Sequence, residues 1–341
     1  MSATWTAIPN DAATSSARSS ASVAGPSLDS SLHSNSSPLR VHLVRVSQAF
    51  QSNCKVDEDA VGPHVSLARL LPLLDAETRR DVGKFRFLRD ARRCLLGRLL
   101  RRFAVCQRLD VPWAEIAFQK TTRGRPELLL REDADRQLDF NVSHDADVVA
   151  LASVTFPSQC PIRVGVDVMQ VKNPWEGSSV GELIEGLAEQ LSEQEIAALS
   201  DLNSDDARLE RTLALWTLKE SYVKAIGDGL HFDLKSLDFR FGPSSPSAGG
   251  RTANFGQAYL CGKVLEGWQF FLRQLHLDDP EGGRYWLAVA AEAAGGDGGV
   301  ILDSEDQQSL ALHWLSLEEI LRNSQQVQPY LRSASDEIHS S

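Results

Sequence analysis

The chain has 341 residues, of which 42% are hydrophobic and 24% are charged, and its formal net charge at pH 7 is -11. This composition is typical of a soluble globular protein, and the acidic balance argues against a general nucleic-acid-binding protein, which normally carries a basic surplus. The five cysteines include no Cys-x-x-Cys pair, which argues against a disulfide framework or a thiolate metal site and predicts a reducing, cytoplasmic location.

The first predicted elements follow a Ser- and Ala-rich stretch. Residues 1–39 show little apolar periodicity and predict a disordered extension. The β-branched run Val41–Val46 then predicts a strand. Helices are predicted over Leu67–Leu74 and Phe85–Leu109, and apolar residues of the second helix recur near the 3.6-residue period. That apolar stripe predicts a core-facing helix.

Positive charge is concentrated on this second helix and just before it. Between Arg79 and Arg108 the sequence has eleven basic residues and only two acidic ones, Asp81 and Asp90. A local cluster of this kind focuses positive potential even in an acidic protein, which suggests an anionic ligand. From charge alone, however, a solvated helix face is the commoner explanation.

The second part of the chain predicts strands and helices in mixed order. Val148–Val154 is an apolar run of strand length, and Ile162–Met169 alternates, with Asp167 on its polar side. Ser192 and Glu195 form a predicted capping box, and Thr212 to Ile226 predicts a helix that ends at Gly227. Further strands are predicted at Ser236–Phe241, Gln257–Leu260, Trp268–Leu277 and Arg284–Glu292. The longest apolar runs fall far short of the roughly 20 residues of a membrane helix.

These elements predict an α+β fold in two halves of similar size. The halves comprise residues 40–157 and 158–294, and residues 295–341 form a linker, a short terminal segment and a tail. Helices alternate with mostly antiparallel strands in each half. No repeat in the sequence is strong enough to establish duplication.

Three residues of the second half could carry chemistry. Asp167 lies on the polar face of its strand, while Glu220 and Lys224 share one helix face at spacing i, i+4. A carboxylate pair from two elements suits Mg2+, which prefers oxygen ligands, and a nearby lysine can neutralise a leaving phosphate. Without further context, a lone strand Asp and an i, i+4 Glu-Lys pair are more often ordinary surface residues.

Four stretches in one order supply that context: Thr121–Pro126 (TTRGRP), Phe140–His144 (FNVSH), Gly165–Val168 (GVDV) and Trp216–Lys224 (WTLKESYVK). Together they resemble the 4'-phosphopantetheinyl transferase superfamily, specifically its surfactin-type monomers with two pseudo-symmetric halves. The eukaryotic members that serve aminoadipate reductase, polyketide and peptide synthetases are the most similar. The resemblance is good over roughly residues 79–239 and weak elsewhere.

The resemblance implies a Mg2+-dependent enzyme that transfers phosphopantetheine from coenzyme A to a serine of an apo acyl or peptidyl carrier domain. Asp167 and Glu220 would bind the metal, Glu220 would also accept the serine proton, and Lys224 would hold the pyrophosphate. The coenzyme A site would include a further set of residues: Arg80, Lys84, Arg93, Arg123, Arg125, Asn141, Ser143 and His144. On residue type alone, His144 would more often be a core histidine.

One position departs from the pattern of the bacterial members. Met169 stands where a third carboxylate is common, so water or another oxygen must complete the metal shell.

The sequence also offers three other functions. A hydrolase triad of Ser143, His144 and Asp145 is disfavoured because adjacent residues of an extended chain point to opposite faces. A nucleotide-binding Gly loop is disfavoured because Gly227 follows a helix. A non-catalytic scaffold for carrier domains remains the main alternative.

Overall fold

The computed structural model describes residues 38–50, 67, 70–129, 135–242, 255–278, 283–293 and 310–322. The predicted extension, apart from residues 38 and 39, and the predicted linker after residue 294 lie outside the described residues. Of the predicted Leu67–Leu74 helix, residues 68 and 69 lie outside the described residues, and Leu71–Leu73 form a single 3-10 turn. Seven α-helices are described: α1 Val46–Ala49, α2 Ala76–Gly83, α3 Leu88–Leu109, α4 Val180–Gly186, α5 Glu193–Ser200, α6 Asp205–Ile226 and α7 Leu317–Arg322.

The described strands form two larger sheets and two small ones. They are β1 Leu39–Arg45, β2 Ala117–Lys120, β3 Pro126–Leu129, β4 Arg136–Asp145, β5 Val148–Pro157, β6 Val164–Gln170, β7 Leu237–Phe241, β8 Phe255–Leu260, β9 Lys263–Val264, β10 Trp268–Leu277, β11 Gly283–Glu292 and β12 Leu312–Trp314. The first sheet has the order β12-β1-β5-β4, and the second has the order β10-β11-β6. All pairings are antiparallel except β1 with β12. The predicted α+β class is confirmed.

Buried side chains arrange these elements in layers. Helix α3 packs Leu95, Leu99 and Phe103 against one face of the first sheet. The other face of that sheet packs against the second sheet through aliphatic residues, together with Phe271 and Tyr285. Helix α6 covers the outer face of the second sheet. The site described below lies where β4, β6 and α6 meet.

The termini of α6 follow the sequence signals, although its start lies earlier than predicted. The side chain of Ser204 caps the amino end by accepting a hydrogen bond from the backbone N–H of Ala207, which satisfies one of the unpaired donors of the first turn. Gly227 ends the helix at φ 74°, a left-handed conformation that glycine adopts without a Cβ penalty. The predicted capping box of Ser192 and Glu195 is confirmed at the start of α5.

Side chains of β4 accept hydrogen bonds from the edge of β6 that lies opposite β11. Within the second sheet β6 pairs only with β11, so its opposite edge would leave backbone N–H groups unpaired. Four residues at alternate positions of β4 accept hydrogen bonds from these N–H groups: Asp139 from Val164 (2.8 Å), Asn141 from Val166 (3.1 Å), Ser143 from Val168 (3.3 Å) and Asp145 from Gln170 (2.7 Å). This side-chain ladder fixes the register between the two larger sheets.

No helix among the described residues combines the length and the hydropathy that a membrane crossing requires.

Candidate active site

Three predicted site residues meet at the centre of the ladder. The ammonium group of Lys224 lies 2.6 Å from Oδ1 of Asp167 and 2.9 Å from Oγ of Ser143. The Ser143 hydroxyl donates to the same Asp167 oxygen at 2.8 Å. Asp167 is only 7% exposed, so this carboxylate is held by a cation and a hydroxyl in a poorly solvated setting. The structure therefore brings together residues that are separated by 24 to 81 positions in the chain.

Glu220 lies one helical turn before Lys224 and shares this environment. Burial raises the pKa of its carboxyl group, the negative charge of Asp167 raises it further, and the charge of Lys224 partly opposes the rise. Glu220 and Lys224 share one face of α6 at spacing i, i+4, and Lys224 contacts Asp167, so the helix carboxylate projects toward the same region as the strand carboxylate. A carboxylate with a raised pKa is a stronger base than an ordinary glutamate, which suits proton abstraction near neutral pH.

The two acidic groups fit a divalent cation. Two mutually repelling carboxylates, one with a raised pKa, provide negative charge and oxygen ligands of the kind that Mg2+ prefers. Within the described ranges there is no cluster of three or more His, Cys, Asp or Glu side chains suited to a metal. Met169 is buried in the core beneath α6. Water and substrate oxygens would therefore have to complete the shell of a bound Mg2+.

Arg125 lies next to this cluster, and its guanidinium group is bound by the protein itself. It forms a two-point ion pair with Asp139, at 2.8 and 2.7 Å, and also donates to the carbonyl oxygens of Lys224 (3.1 Å) and Val164 (2.8 Å). The side chains of Arg125 and Asp139 are only 11% and 13% exposed. Arg125 thus joins the turn before β3 to β4, β6 and the last turn of α6. Its predicted role in coenzyme A binding stays a prediction.

Arg125→Lys tests whether these contacts of Arg125 stabilise the fold. Lysine keeps the charge but cannot reproduce the planar two-point pair with Asp139 and the two carbonyl contacts. We expect the free energy of unfolding, measured by urea denaturation, to fall by about 1.5–3 kcal/mol. Arg123→Lys is the matched control and should change it by less than about 0.5 kcal/mol, because that pair is exposed. Equal losses in both variants would contradict the structural role of Arg125.

A cavity of about 460 Å3, the Arg123 cavity, lies beside Arg125. Its walls include the Thr121–Arg125 turn, the Pro161–Arg163 segment and the end of α6 at Ala225–Asp228. Arg123 forms an ion pair with Asp228 at its surface, whereas Arg163 forms a two-point pair with Glu292 at 2.9 Å on each side. The Gly124 backbone has φ 84°, which permits the tight bend of the turn.

The remaining predicted cations are spread more widely. Arg80 on α2 and Lys84 directly after that helix are exposed, and neither makes a hydrogen bond or ion pair with the Asp167 cluster in the described part of the chain. Arg93 lies on α3 and donates to the carbonyl oxygen of Ala146 at 2.7 Å. His144 keeps an exposed edge, yet desolvation by the surrounding protein, with the charges of Arg93 and Lys224, lowers its pKa to about 4. The imidazole is therefore neutral at pH 7.

Sequence reasoning missed the acidic partners of these groups. Asp139, Asp228 and Glu292 each neutralise an arginine that lines the Arg123 cavity. Asp145 lies one ladder position beyond Ser143, and burial together with the charge of Asp167 raises the pKa of its carboxyl group. The alternation of Asp139, Asn141, Ser143 and Asp145 along one face of β4 was the available signal, since four polar residues at period two predict a polar strand face.

Comparisons with known proteins give two matches to family models. Residues 64–156 match a model of the 4'-phosphopantetheinyl transferase N-terminal domain, and residues 163–290 match the 4'-phosphopantetheinyl transferase superfamily. An L-aminoadipate-semialdehyde dehydrogenase-phosphopantetheinyl transferase of Xenopus laevis is 36% identical over 51% of this chain and 56% of that protein. The chain covers 55–62% of the length of this and the other animal relatives that it matches.

Two further relatives are matched over more of their length. A 4'-phosphopantetheinyl transferase of Paxillus involutus is 31% identical over 72% of this chain and 88% of its own length. A phosphopantetheinyl transferase of Thraustochytrium is 33% identical over 69% of this chain and 76% of its own length. The alignments, the two domain matches and the α+β architecture lead to one conclusion: the chain belongs to the 4'-phosphopantetheinyl transferase superfamily.

Proposed function

We propose that this chain transfers the 4'-phosphopantetheine arm of coenzyme A to a serine of an apo carrier domain and releases adenosine 3',5'-bisphosphate. The proposal depends on the contact of Lys224 with buried Asp167 and on the position of Glu220 one helical turn before Lys224, where burial and the charge of Asp167 raise the pKa of its carboxyl group. Two acids and a cation are the groups needed to accept a proton, hold a divalent ion and neutralise a departing phosphate. The family membership supports the same reaction class.

The chain's own residues would act in one sequence. Glu220 accepts the proton of the carrier serine, whose oxygen attacks the β-phosphorus of coenzyme A, and the bond to adenosine 3',5'-bisphosphate breaks. Lys224 neutralises charge on the departing phosphate, and Ser143 holds Asp167 in place by its hydrogen bond. Mg2+ bound by Asp167 and Glu220 would supply Lewis-acid stabilisation of the diphosphate.

The location and the partners follow as part of this proposal. The four described cysteines, Cys94, Cys106, Cys160 and Cys261, are free thiols, which supports a reducing, cytoplasmic setting. Relatives named for aminoadipate-semialdehyde dehydrogenase support an aminoadipate reductase among the carrier partners. Because Asp167, Glu220 and Lys224 all come from one chain, we propose that a monomer is active.

Intact-mass analysis of carrier domains tests the proposed function. The full chain would be incubated with coenzyme A, Mg2+ and several apo carriers, including one from an aminoadipate reductase. We expect at least one carrier to gain the mass of a single phosphopantetheine group, and chelation of the metal or Asp167→Asn to prevent that gain. A folded protein that binds carriers but modifies none of them would instead identify a non-catalytic scaffold.

A further inference from the structure

The arginines of the Arg123 cavity differ in how firmly internal carboxylates hold them. Among the described residues that line this cavity, three are arginines: Arg123, Arg125 and Arg163. Arg125 is buried and makes a two-point pair plus backbone contacts, and Arg163 makes a two-point pair with Glu292. Arg123 makes a single-point pair with Asp228, and the two side chains are 51% and 39% exposed. Of these three arginines, Arg123 is therefore the one whose carboxylate partner an incoming anion can displace most easily.

The position of Asp228 allows its carboxylate to separate from Arg123. Asp228 follows the last turn of α6 and stands between Gly227 and Gly229, whose φ angles are 74° and 53°. Glycine on both sides lets the backbone that carries the carboxylate reorient at little steric cost. An exposed single-point ion pair also contributes little free energy, so a phosphate group that offers more negative charge to Arg123 can displace the carboxylate.

We propose that Asp228 is an internal competitor for the anionic ligand of this cavity. In the ligand-free protein the carboxylate of Asp228 forms an ion pair with Arg123. This pair breaks when a phosphate of the nucleotide enters the cavity and binds the guanidinium group. This inference rests on the proposed function, because it takes coenzyme A as the ligand. Asp228 is then a residue that determines affinity and selectivity. A nucleotide without a phosphate at this position leaves the Arg123–Asp228 pair intact and gains nothing from Arg123.

Calorimetric titration of the full chain with coenzyme A, in the presence of Mg2+ and without a carrier, tests the competition. We expect Asp228→Asn to lower the Kd by about twofold to fivefold, because the exposed pair no longer has to be broken. Arg123→Gln should raise the Kd. In the Arg123→Gln background, Asp228→Asn should change the Kd little, because there is no longer a guanidinium group to release.

The control is Asp201→Asn, which removes the same charge at an exposed position that is not among the residues lining the cavity. It should leave the Kd unchanged, and thermal unfolding would check that every variant is folded. Equal tightening by Asp228→Asn in the presence and absence of Arg123 would indicate direct repulsion of the ligand and overturn the competition. An unchanged Kd in Asp228→Asn would overturn it as well, with the proposed function intact. Failure of the wild-type chain to bind coenzyme A would overturn both.

Discussion

Glu220→Gln is expected to lower the rate of phosphopantetheine transfer by about 10^3-fold, because the amide cannot accept the serine proton. Glutamine keeps the size of the side chain, and Lys224 still provides a cation for the pyrophosphate, so coenzyme A binding should change little. Single-turnover mass spectrometry would measure transfer, and calorimetry would measure binding. Transfer at the wild-type rate would refute the assignment of Glu220 as the base.

The same substitution should stabilise the metal-free protein at neutral pH. The folded-state pKa of Glu220 lies above its ordinary value of 4.5, so the folded chain holds more protons than the unfolded chain as the pH rises past that value. Stability contributed by this group is therefore present below the ordinary pKa and is lost as the pH rises through the folded-state pKa. Gln avoids this loss because it does not ionise.

Thermal unfolding of the two proteins across pH provides the measurement. With chelator present, the Tm of Glu220→Gln should exceed that of the wild type at pH 7 to 8, and the difference should vanish as the pH falls below about 4. Glu189→Gln, at an exposed position between α4 and α5, is the matched control and should leave both Tm and transfer unchanged. A lower Tm for Glu220→Gln at pH 7 would contradict a raised pKa of Glu220 in the folded protein.

Gly165→Ala is expected to have the second large effect, because α6 packs directly on the backbone of β6 at this glycine. A Cβ at residue 165 would lie 2.0 Å from the carbonyl oxygen of Ser221 and 2.5 Å from the backbone nitrogen of Ala225. Neither atom belongs to a flexible side chain, so the helix as a whole must move away from the strand. Overpacking of this kind typically costs about 1–3 kcal/mol, and we expect a loss of about 3 kcal/mol or more.

Separating α6 from β6 should also impair the chemistry. Asp167 lies two residues beyond Gly165, while Glu220 and Lys224 lie on the helix that must move. A displacement of about 1 Å between reacting groups can lower the rate of an enzyme by about 10^2-fold. Urea denaturation would measure the stability, and transfer would be measured at a temperature where the variant remains folded.

Gly83→Ala provides the control for this prediction. Gly83 ends α2 in a conformation without positive φ, and no heavy atom lies within 4 Å of the Cβ that alanine would add. Alanine there should leave transfer unchanged and stabilise the fold by at most about 1 kcal/mol, because it reduces the conformational entropy of the unfolded chain. If both variants unfolded at the same urea concentration, the close approach of α6 to β6 would not matter for stability.

Local patterns in the sequence predicted the elements that carry the site. Alternation placed Asp167 on the polar face of a strand, and spacing i, i+4 placed Glu220 and Lys224 on one face of α6. Gly227 predicted the end of that helix correctly, because a left-handed terminal residue is a local requirement. The predicted start of the same helix was several residues late, since Ser204 caps it before the apolar pattern becomes regular.

No comparable pattern in the sequence predicted the contacts between distant segments. Arg123 and Arg125 have similar local sequence contexts, yet one is exposed beside Asp228 and the other is buried against Asp139 and the carbonyl oxygen of Lys224. The ladder from β4 to β6 likewise depends on how two sheet edges meet, and neither edge could be identified from the order of strands along the chain.

By itself the sequence determined the family, the α+β class and the side of each element on which the acidic and basic residues lie, because helix and strand periods are properties of the local backbone. Only the tertiary structure decided which arginines are bound internally, how Ser143, Asp167 and Lys224 share one set of contacts, and why Glu220 holds its proton more tightly. Those properties depend on desolvation and on distances across packed elements, which arise only when α6 docks on β6 at Gly165.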